Sequence, residues 1–424
     1  MLDIRLLREN PDLIKSRLAT RKPALADTVD AILDCDTRRR KLETTLQEAQ
    51  GQRKRLSKEI GMLRAKGTDS SAMELEVKGI GKQIEELEMA TREADAAQNE
   101  LLLNLPNTPH ENAPIGADAE SNPVVRTWGE KPNLENPLDH VRLGEKLGLF
   151  DLPRATRMSG SGFVCYTGAG ARLERALINF CLDLHGNEHG YTEVNPPFLV
   201  KADALVGTGQ LPKFADQLYA TRDADLYLIP TAEVPVTNLH REEILPWAEL
   251  PKQYVAYTPC FRSEAGAAGL GTRGLIRVHQ FNKVELVKIT TPENAFAELE
   301  TLTANAEVVL QKLGLHYRVI ELCTGDLGFG STKTYDIEVW APGQNAYLEV
   351  SSCSNFGDFQ ARRMSLKYKD AEGKNRFCHT LNGSGTAMPR LFVALVETWQ
   401  QPDGSVKIPV ALQPWFGAAE ITAR

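Results

Sequence analysis

Residues 254–264 read Tyr-Val-Ala-Tyr-Thr-Pro-Cys-Phe-Arg-Ser-Glu, and residues 275–288 read Leu-Ile-Arg-Val-His-Gln-Phe-Asn-Lys-Val-Glu-Leu-Val-Lys. Between them lies a Gly/Ala-rich stretch ending in Thr272-Arg273-Gly274, the composition of a hairpin loop. The pattern predicts two antiparallel strands, over 253–262 and 275–289. The pair carries charge where strands should be apolar. Arg262 and Glu264 stand two apart at the end of the first run, which period two places on one sheet face; Phe281, Lys283, Glu285 and Val287 share a face of the second. Such a strand–loop–strand, with Arg262 and Glu264 at entry and Arg277, Phe281 and Glu285 on return, can grip a nucleoside triphosphate. Arginine offers a planar fork to phosphate or carboxylate. A carboxylate accepts from the adenine amino group, and an aromatic ring stacks on the base. The plain alternative is a surface hairpin with cross-strand ion pairs.

Outward from this hairpin, 226–229, 316–322, 334–340 and 346–351 also read as strands, and 171–187 shows a helical face through Leu173, Leu177, Phe180 and Leu184. Helices do not alternate regularly with the strands, which favours an α+β domain on an antiparallel sheet. The common parallel-sheet nucleotide sites are missing. Ser331 follows the glycines of 325–330 where a P-loop needs Lys, and Gly168-Ala-Gly170 and Gly383-Ser-Gly385 lack the third glycine of a dinucleotide fingerprint.

Three further clusters carry chemistry. Thr231 and Glu233 end the apolar run from Leu226. Tyr347-Leu-Glu349-Val-Ser351-Ser352-Cys-Ser354-Asn355 ends another strand in polar residues, and a carboxylate at a buried strand end needs a cation, amine or metal partner. Glu349 with a nearby hydroxyl suits Mg²⁺, a hard ion that takes oxygen ligands beside phosphates. Last, Leu381–Arg390 leads into an apolar helix over 391–400; Pro389 fits its first turn, and Arg390 stands near its start, facing whatever Gly383 and Gly385 let approach.

Residues 28–105 have another grammar. Ile32, Cys35, Arg39, Leu42, Leu46, Ala49, Arg53, Leu56, Ile60 and Leu63 are spaced by three and four; the pattern breaks at 66–70 and resumes from Met73 through Leu105. This predicts an antiparallel two-helix coiled-coil arm. Residues 38–66 hold ten Lys/Arg and three Asp/Glu, whereas 72–105 hold three basic and eight acidic residues. The helices either complement each other through flanking ion pairs or present Arg38-Arg39-Arg40-Lys41 and Arg53-Lys54-Arg55 to an RNA backbone. Between 106 and 137 lie six of the 23 prolines, the composition of a linker or wrapping segment.

The whole chain bounds these readings. At 424 residues, 42% hydrophobic and 25% charged, with net charge −7, it is an ordinary folded protein of two or three domains, which excludes disordered, collagen-like and disulfide-scaffold classes. The seven cysteines are scattered, without a C-x-x-C pair, and predict reduced thiols and no zinc site. The charged N-terminus lacks the apolar core of a signal peptide, and no stretch approaches a membrane span, so a cytoplasmic protein without a membrane partner is expected.

Together these segments resemble the class II aminoacyl-tRNA synthetases, specifically the seryl-tRNA synthetase family, over essentially the whole chain. Gly190-Tyr-Thr-Glu-Val-Asn-Pro-Pro197 resembles motif 1, the dimer-interface motif; 261–264 with 277–281 resembles motif 2, and 383–390 motif 3. Thr231-Ala232-Glu233, His279–Glu285 and Glu349–Asn355 narrow the match to the seryl branch, whose signature also includes the helical arm. The resemblance implies a tRNA-binding domain over 1–108 with its helical hairpin at about 28–105, a linker over 109–137 and a class II catalytic domain over 138–424. It implies ATP-dependent attachment of L-serine to tRNA(Ser), and to tRNA(Sec) where one exists, by a homodimer using Mg²⁺.

The resemblance also assigns roles. Arg262 bridges the serine carboxylate and the α-phosphate, and Arg390 binds the γ-phosphate; with Glu349 they form the catalytic set. Thr231, Ala232, Glu233, Arg262, Glu285, Asn382 and Ser384 hold serine. Arg262, Ser263, Glu264, Val278, Phe281, Glu349, Val350, Ser351, Ser352 and Arg390 hold ATP. Glu349 and Ser352 position Mg²⁺, and the Arg38–Lys41 and Arg53–Arg55 runs meet tRNA. Two positions depart from the family pattern: Leu270 and Gly271 replace a usual basic–acidic pair in the loop that contacts the tRNA acceptor end, and Pro389 stands where Gly is frequent. Two other readings compete: a seryl-adenylate ligase that loads a carrier protein, whose relatives lack the arm, and a catalytically silent RNA-binding paralogue, in which an ATP or serine ligand would be lost.

Overall fold

A computed structural model describes residues 1–265 and 274–423. The chain divides into two compact units, Leu2–Pro106 and Asn107–Arg424.

The first unit is helical. Two short helices, Ile4–Glu9 and Pro11–Arg21, precede α1 (Leu25–Ala65) and α2 (Ser71–Asn104), which form an antiparallel hairpin. The turn falls at 66–70, where the heptad pattern breaks, and Gly67 supplies its left-handed residue at φ +70°. At 1.5 Å per residue α1 is about 60 Å long. Ala49, Leu56, Ile80 and Ile84 are buried along the seam, packed with Leu46, Met73, Val77 and Leu87. Farther from the turn the seam becomes polar: buried Asp36 accepts a hydrogen bond from Gln98 Nε2 at 2.9 Å and pairs with Arg39 at 3.4 Å. A polar pair inside an apolar seam fixes the register of two helices that could otherwise slide.

The second unit is built on one eight-stranded sheet. Its strands are β1 (Val124–Trp128), β2 (Thr192–Glu193), β3 (Lys252–Phe261), β4 (Gln280–Thr290), β5 (Tyr317–Glu321), β6 (Lys333–Ala341), β7 (Ala346–Asn355) and β8 (His379–Ala387), in the order β1-β5-β6-β7-β8-β4-β3-β2. Every neighbouring pair is antiparallel except β2 with β3. This is the α+β architecture expected from the sequence.

Period two gives the sheet an apolar face and a polar one. Val284, Leu286, Val319, Ile337, Val339, Cys353 and Leu381 join a single core with α3 (Gly168–Asp183), α4 (Ala295–Lys312) and α5 (Met388–Thr398). The intervening residues of the same strands, among them Lys283, Glu285, Ser352 and Asn382, face the opposite side, where helices Ala202–Thr208, Glu233–Thr237 and Phe359–Arg363 stand.

Two segments differ from the sequence reading, and the proline-rich stretch takes one of the two forms read for it. The proline-rich stretch wraps onto the unit: it supplies edge strand β1, and the Asn107 amide donates to the carbonyls of Gly330 and Phe356 at 2.9 and 2.8 Å. The second hairpin strand begins at Gln280 rather than Leu275, because Leu275 and His279 donate their N–H groups outside any ladder. Residues 379–387 form a central strand where the sequence shows only a glycine-rich approach to a helix. Gly383 sits where a Cβ would lie 2.4 Å from Leu302, so the close approach of α4 excludes the side chain that would have marked the strand.

Candidate active site

A cavity of about 580 Å³ opens on the polar face of the sheet. It gathers Thr231, Glu233, Arg262, Glu264, Val278, Phe281, Glu285, Glu349, Val350, Ser352, Asn382, Ser384 and Arg390 from segments far apart in the chain.

Its buried end is a carboxylate held among donors. Glu285 is 1% exposed. Its Oε2 pairs with the Lys283 ammonium, and Thr231 Oγ1 donates to the same oxygen at 3.3 Å. Asn382 Nδ2 donates to Oε1 at 3.0 Å, while Lys283 Nζ also reaches Thr231 Oγ1 at 2.8 Å. Ser384 lies opposite Glu285 in the β4–β8 register. A second carboxylate, Glu233, stands at the first turn of the helix Glu233–Thr237; Gln360 Nε2 donates to it at 2.7 Å, and Thr380 orients Gln360 at 2.7 Å. Burial, and then the neighbouring Glu285 charge, push the Glu233 carboxyl up to about 7. A small molecule bearing an ammonium and a hydroxyl fits these partners: the ammonium neutralises Glu233, and the hydroxyl donates to Glu285.

The open end is lined by arginines. The Arg262 guanidinium lies 5.1 Å from the Phe281 ring centroid, and its Nε donates to the Pro230 carbonyl at 3.3 Å. Glu264 adopts φ +49° just beyond β3, so a left-handed turn, rather than strand alternation, brings it into the cavity beside Arg262. Arg277 Nη1 donates to Glu264 Oε2 at 2.7 Å. Arg390, in the first turn of α5, donates from Nη1 to the Glu349 carbonyl at 2.8 Å and from Nε to the Ile276 carbonyl at 3.3 Å. Pro389 is accommodated at the helix start, where no amide donor is needed.

Two bulges aim residues into this space. The β6–β7 register shifts between Glu349 and Ser351, and the β4–β8 register between Ser384 and Thr386. Ser352 stands opposite Asp336, whose carboxyl is pushed well above the usual range by burial and by the Glu349 charge. Asp336 Oδ1 is buried without a hydrogen-bond partner among the described residues.

Three of the expected site residues do not line the cavity. Ala232 is buried with Val236, Ala256 and Val287; Ser263 donates to the Asp216 carbonyl at 2.7 Å; and Ser351 donates to the Ser384 carbonyl at 2.6 Å from the apolar side. Leu270 and Gly271 lie outside the described residues. Conversely, the sequence reading assigned no site role to Lys283, Asp336 or Gln360. Lys283 was legible by its period-two spacing from Glu285; Gln360 has no local signal, since only the crossing of its helix over Glu233 makes it a ligand. In the helical unit, Arg38, Arg40, Lys41, Arg53, Lys54 and Arg55 are exposed without an ion pair among the described residues, whereas Arg39 is bound to Asp36, Glu43 and Asp95.

Comparison with known proteins places the whole chain. Residues 1–109 match the seryl-tRNA synthetase N-terminal domain, and 217–399 the tRNA synthetase class II core domain (G, H, P, S and T). The serine–tRNA ligase of Akkermansia muciniphila is 60% identical, covering 99% of this chain and 98% of the relative; that of Syntrophobacter fumaroxidans is 51% identical, covering 99% of both. The crystal structure of seryl-tRNA synthetase from Pyrococcus horikoshii complexed with ATP superposes with a TM-score of 0.94 at 39% identity, covering 100% of both chains. Matched from end to end in both sequence and fold, the chain belongs to the seryl-tRNA synthetase family.

Proposed function

We propose that this serine–tRNA ligase forms seryl-adenylate in the cavity on the polar face of its sheet and then transfers the seryl group to tRNA. Glu233 and Thr231 hold the α-amino group, and Glu285, with Asn382 and Ser384, surrounds the side-chain hydroxyl. Arg262 binds the carboxylate and the α-phosphate together, so that a carboxylate oxygen attacks α-phosphorus as the bond to pyrophosphate breaks. Glu264 holds adenine, Phe281 stacks on it, and Arg390 binds the γ-phosphate. The substrate carboxylate is already a nucleophile, so the protein supplies alignment and charge neutralisation. A tRNA 3′-terminal hydroxyl then attacks the seryl carbonyl and AMP leaves. The observation that carries this reading is the convergence of Glu285, Glu233, Arg262, Phe281 and Arg390 on one cavity.

The donor set fits Mg²⁺. Glu349, Ser352 and the orphaned Asp336 Oδ1 are hard oxygen donors, and no group of three His, Cys, Asp or Glu among the described residues holds a metal by itself. Glu349 and Ser352 would therefore hold the ion jointly with ATP. When bound, it offsets triphosphate charge.

We extend the proposal to residues 1–108 as the tRNA-binding domain, 109–137 as its linker and 138–424 as the catalytic domain. The exposed Arg38, Arg40, Lys41, Arg53, Lys54 and Arg55 support phosphate contacts there. Family membership supports a homodimer, a cytoplasmic location and serylation of tRNA(Sec) where one exists; among the described residues no helix is long and apolar enough to cross a membrane. Amino-acid-dependent ATP–pyrophosphate exchange without tRNA tests the central claim. Strong exchange with serine, and not with threonine, alanine, cysteine or glycine, is expected; exchange with none of them would sink it.

A further inference from the structure

Behind the cavity, outside the residues assigned above, lies a buried His–Glu pair. Glu397, in α5, is fully buried and His140 is 1% exposed. Five N–H groups converge on the Glu397 carboxylate. Oε1 receives His140 N at 2.8 Å, His140 Nδ1 at 3.0 Å and Gln344 Nε2 at 2.9 Å; Oε2 receives Gly343 N at 2.9 Å and Gln344 N at 3.2 Å. With Nδ1–H donated to Glu397, the imidazole presents Nε2 as an acceptor, and the Leu275 amide donates to it at 3.2 Å. The backbone is shaped for this contact. Gly274 has φ +73°, and a Cβ there would lie 2.1 Å from His140 Nε2; a Cβ on Gly343 would lie 2.9 Å from Glu397 Cδ.

Leu275 begins the segment that re-enters the cavity as Ile276, Arg277 and Val278. The Ile276 carbonyl receives Arg390 Nε at 3.3 Å. Arg390 and Glu397 stand seven residues apart, two turns along one face of the same helix. α5 thus grips segment 274–276 at two points, directly through Arg390 and indirectly through Glu397 and His140.

We infer that His140 is a positioning residue for ATP binding: clamped by Glu397, its Nε2 holds the Leu275 amide and so fixes the Ile276 carbonyl against which the Arg390 guanidinium is aimed. This rests on the assignment of Arg390 to the triphosphate.

The test is steady-state ATP–pyrophosphate exchange on the full chain with H140N, H140Q, R390A and H140N/R390A. The Asn amide can replace Nδ1–H but leaves the Leu275 amide without an acceptor; the longer Gln side chain places an oxygen near the Nε2 position. H140N is expected to raise the KM for ATP about tenfold, a typical cost of orphaning a buried donor, with the KM for serine within about twofold. H140Q is expected to recover most of that loss, and H140N to add less than about twofold in the R390A background. H140A serves in its place where H140N does not fold. Equal rises in both KM values, no rescue by H140Q, or the full tenfold effect on top of R390A would each overturn the inference. An impaired R390A beside a normal H140N overturns this inference alone; an R390A with normal KM for ATP overturns the Arg390 assignment and the inference with it.

Discussion

Asn382 Nδ2 donates to Glu285 Oε1 at 3.0 Å across two neighbouring strands, tying the glycine-rich strand to the strand that carries the charged motif. The contact leaves Glu285, already paired with Lys283, fixed at the bottom of the cavity as an acceptor of defined direction. A site that bonds a substrate hydroxyl rejects the analogue lacking it by roughly 10⁴–10⁵, because its buried polar groups would go unpaired. E285A is expected to lower kcat/KM for serine by at least about 100-fold and to narrow the serine–alanine gap. Exchange kinetics with both amino acids check this; an unchanged serine–alanine ratio would remove Glu285 from the hydroxyl subsite.

Glu233 sets a pH dependence. Its folded value of about 7 lies above that of a free carboxyl, so below pH 7 it holds a proton where the proposed contact with the serine ammonium needs a charge. Serine affinity is expected to rise about tenfold from pH 6 to pH 8 and to be flat in E233Q. Stability runs the other way. The folded state binds the extra proton between roughly 4.5 and 7, so this group's contribution is full below that window and lost as pH rises through it. Calorimetric titration with serine measures the first effect and urea melts across pH the second.

Arg262 lies over Phe281 and holds the Pro230 carbonyl, which pre-orients its planar fork. Lysine keeps the charge but not the fork. R262K is expected to reduce kcat of the exchange reaction by about 10²-fold, since it removes stabilisation of developing charge. A single-turnover assay of adenylate formation reads this directly, and a rate within threefold of wild type would contradict the role.

Deleting residues 28–105 is expected to spare ATP–pyrophosphate exchange and to lower tRNA charging by at least about 100-fold, because six exposed cations leave with the arm. Equal loss of both reactions would refute the division of labour.

The core gives a stability prediction. Phe392 is fully buried in the main cluster, with its ring 5.4 Å from Tyr166. F392A is expected to cost about 3–5 kcal/mol in chemical denaturation, through lost burial and the cavity left behind.

The sequence alone determined the elements whose periodicity is written in side chains. The heptads of 28–105 specify two long helices, and the break at 66–70 places their turn, because apolar spacing by three and four has one way to be buried. The run at 254–264 and its return specify the antiparallel pair, and the period-two reading of their charged and aromatic residues singled out Arg262, Glu264, Phe281 and Glu285, which the fold brings to one cavity. Tertiary structure alone decided what depends on contact between distant segments. Residues 379–387 became a central strand because Gly383 lets α4 and the neighbouring strand approach, a steric fact with no local hydrophobic signal. The bulges that aim Glu349 and Ser384, the left-handed Glu264, and the placing of Gln360 on Glu233 and His140 on Leu275 follow from pairing register and helix crossing. A buried polar group takes whichever partner the packed chain brings within about 3 Å, and one-dimensional spacing carries no record of that choice.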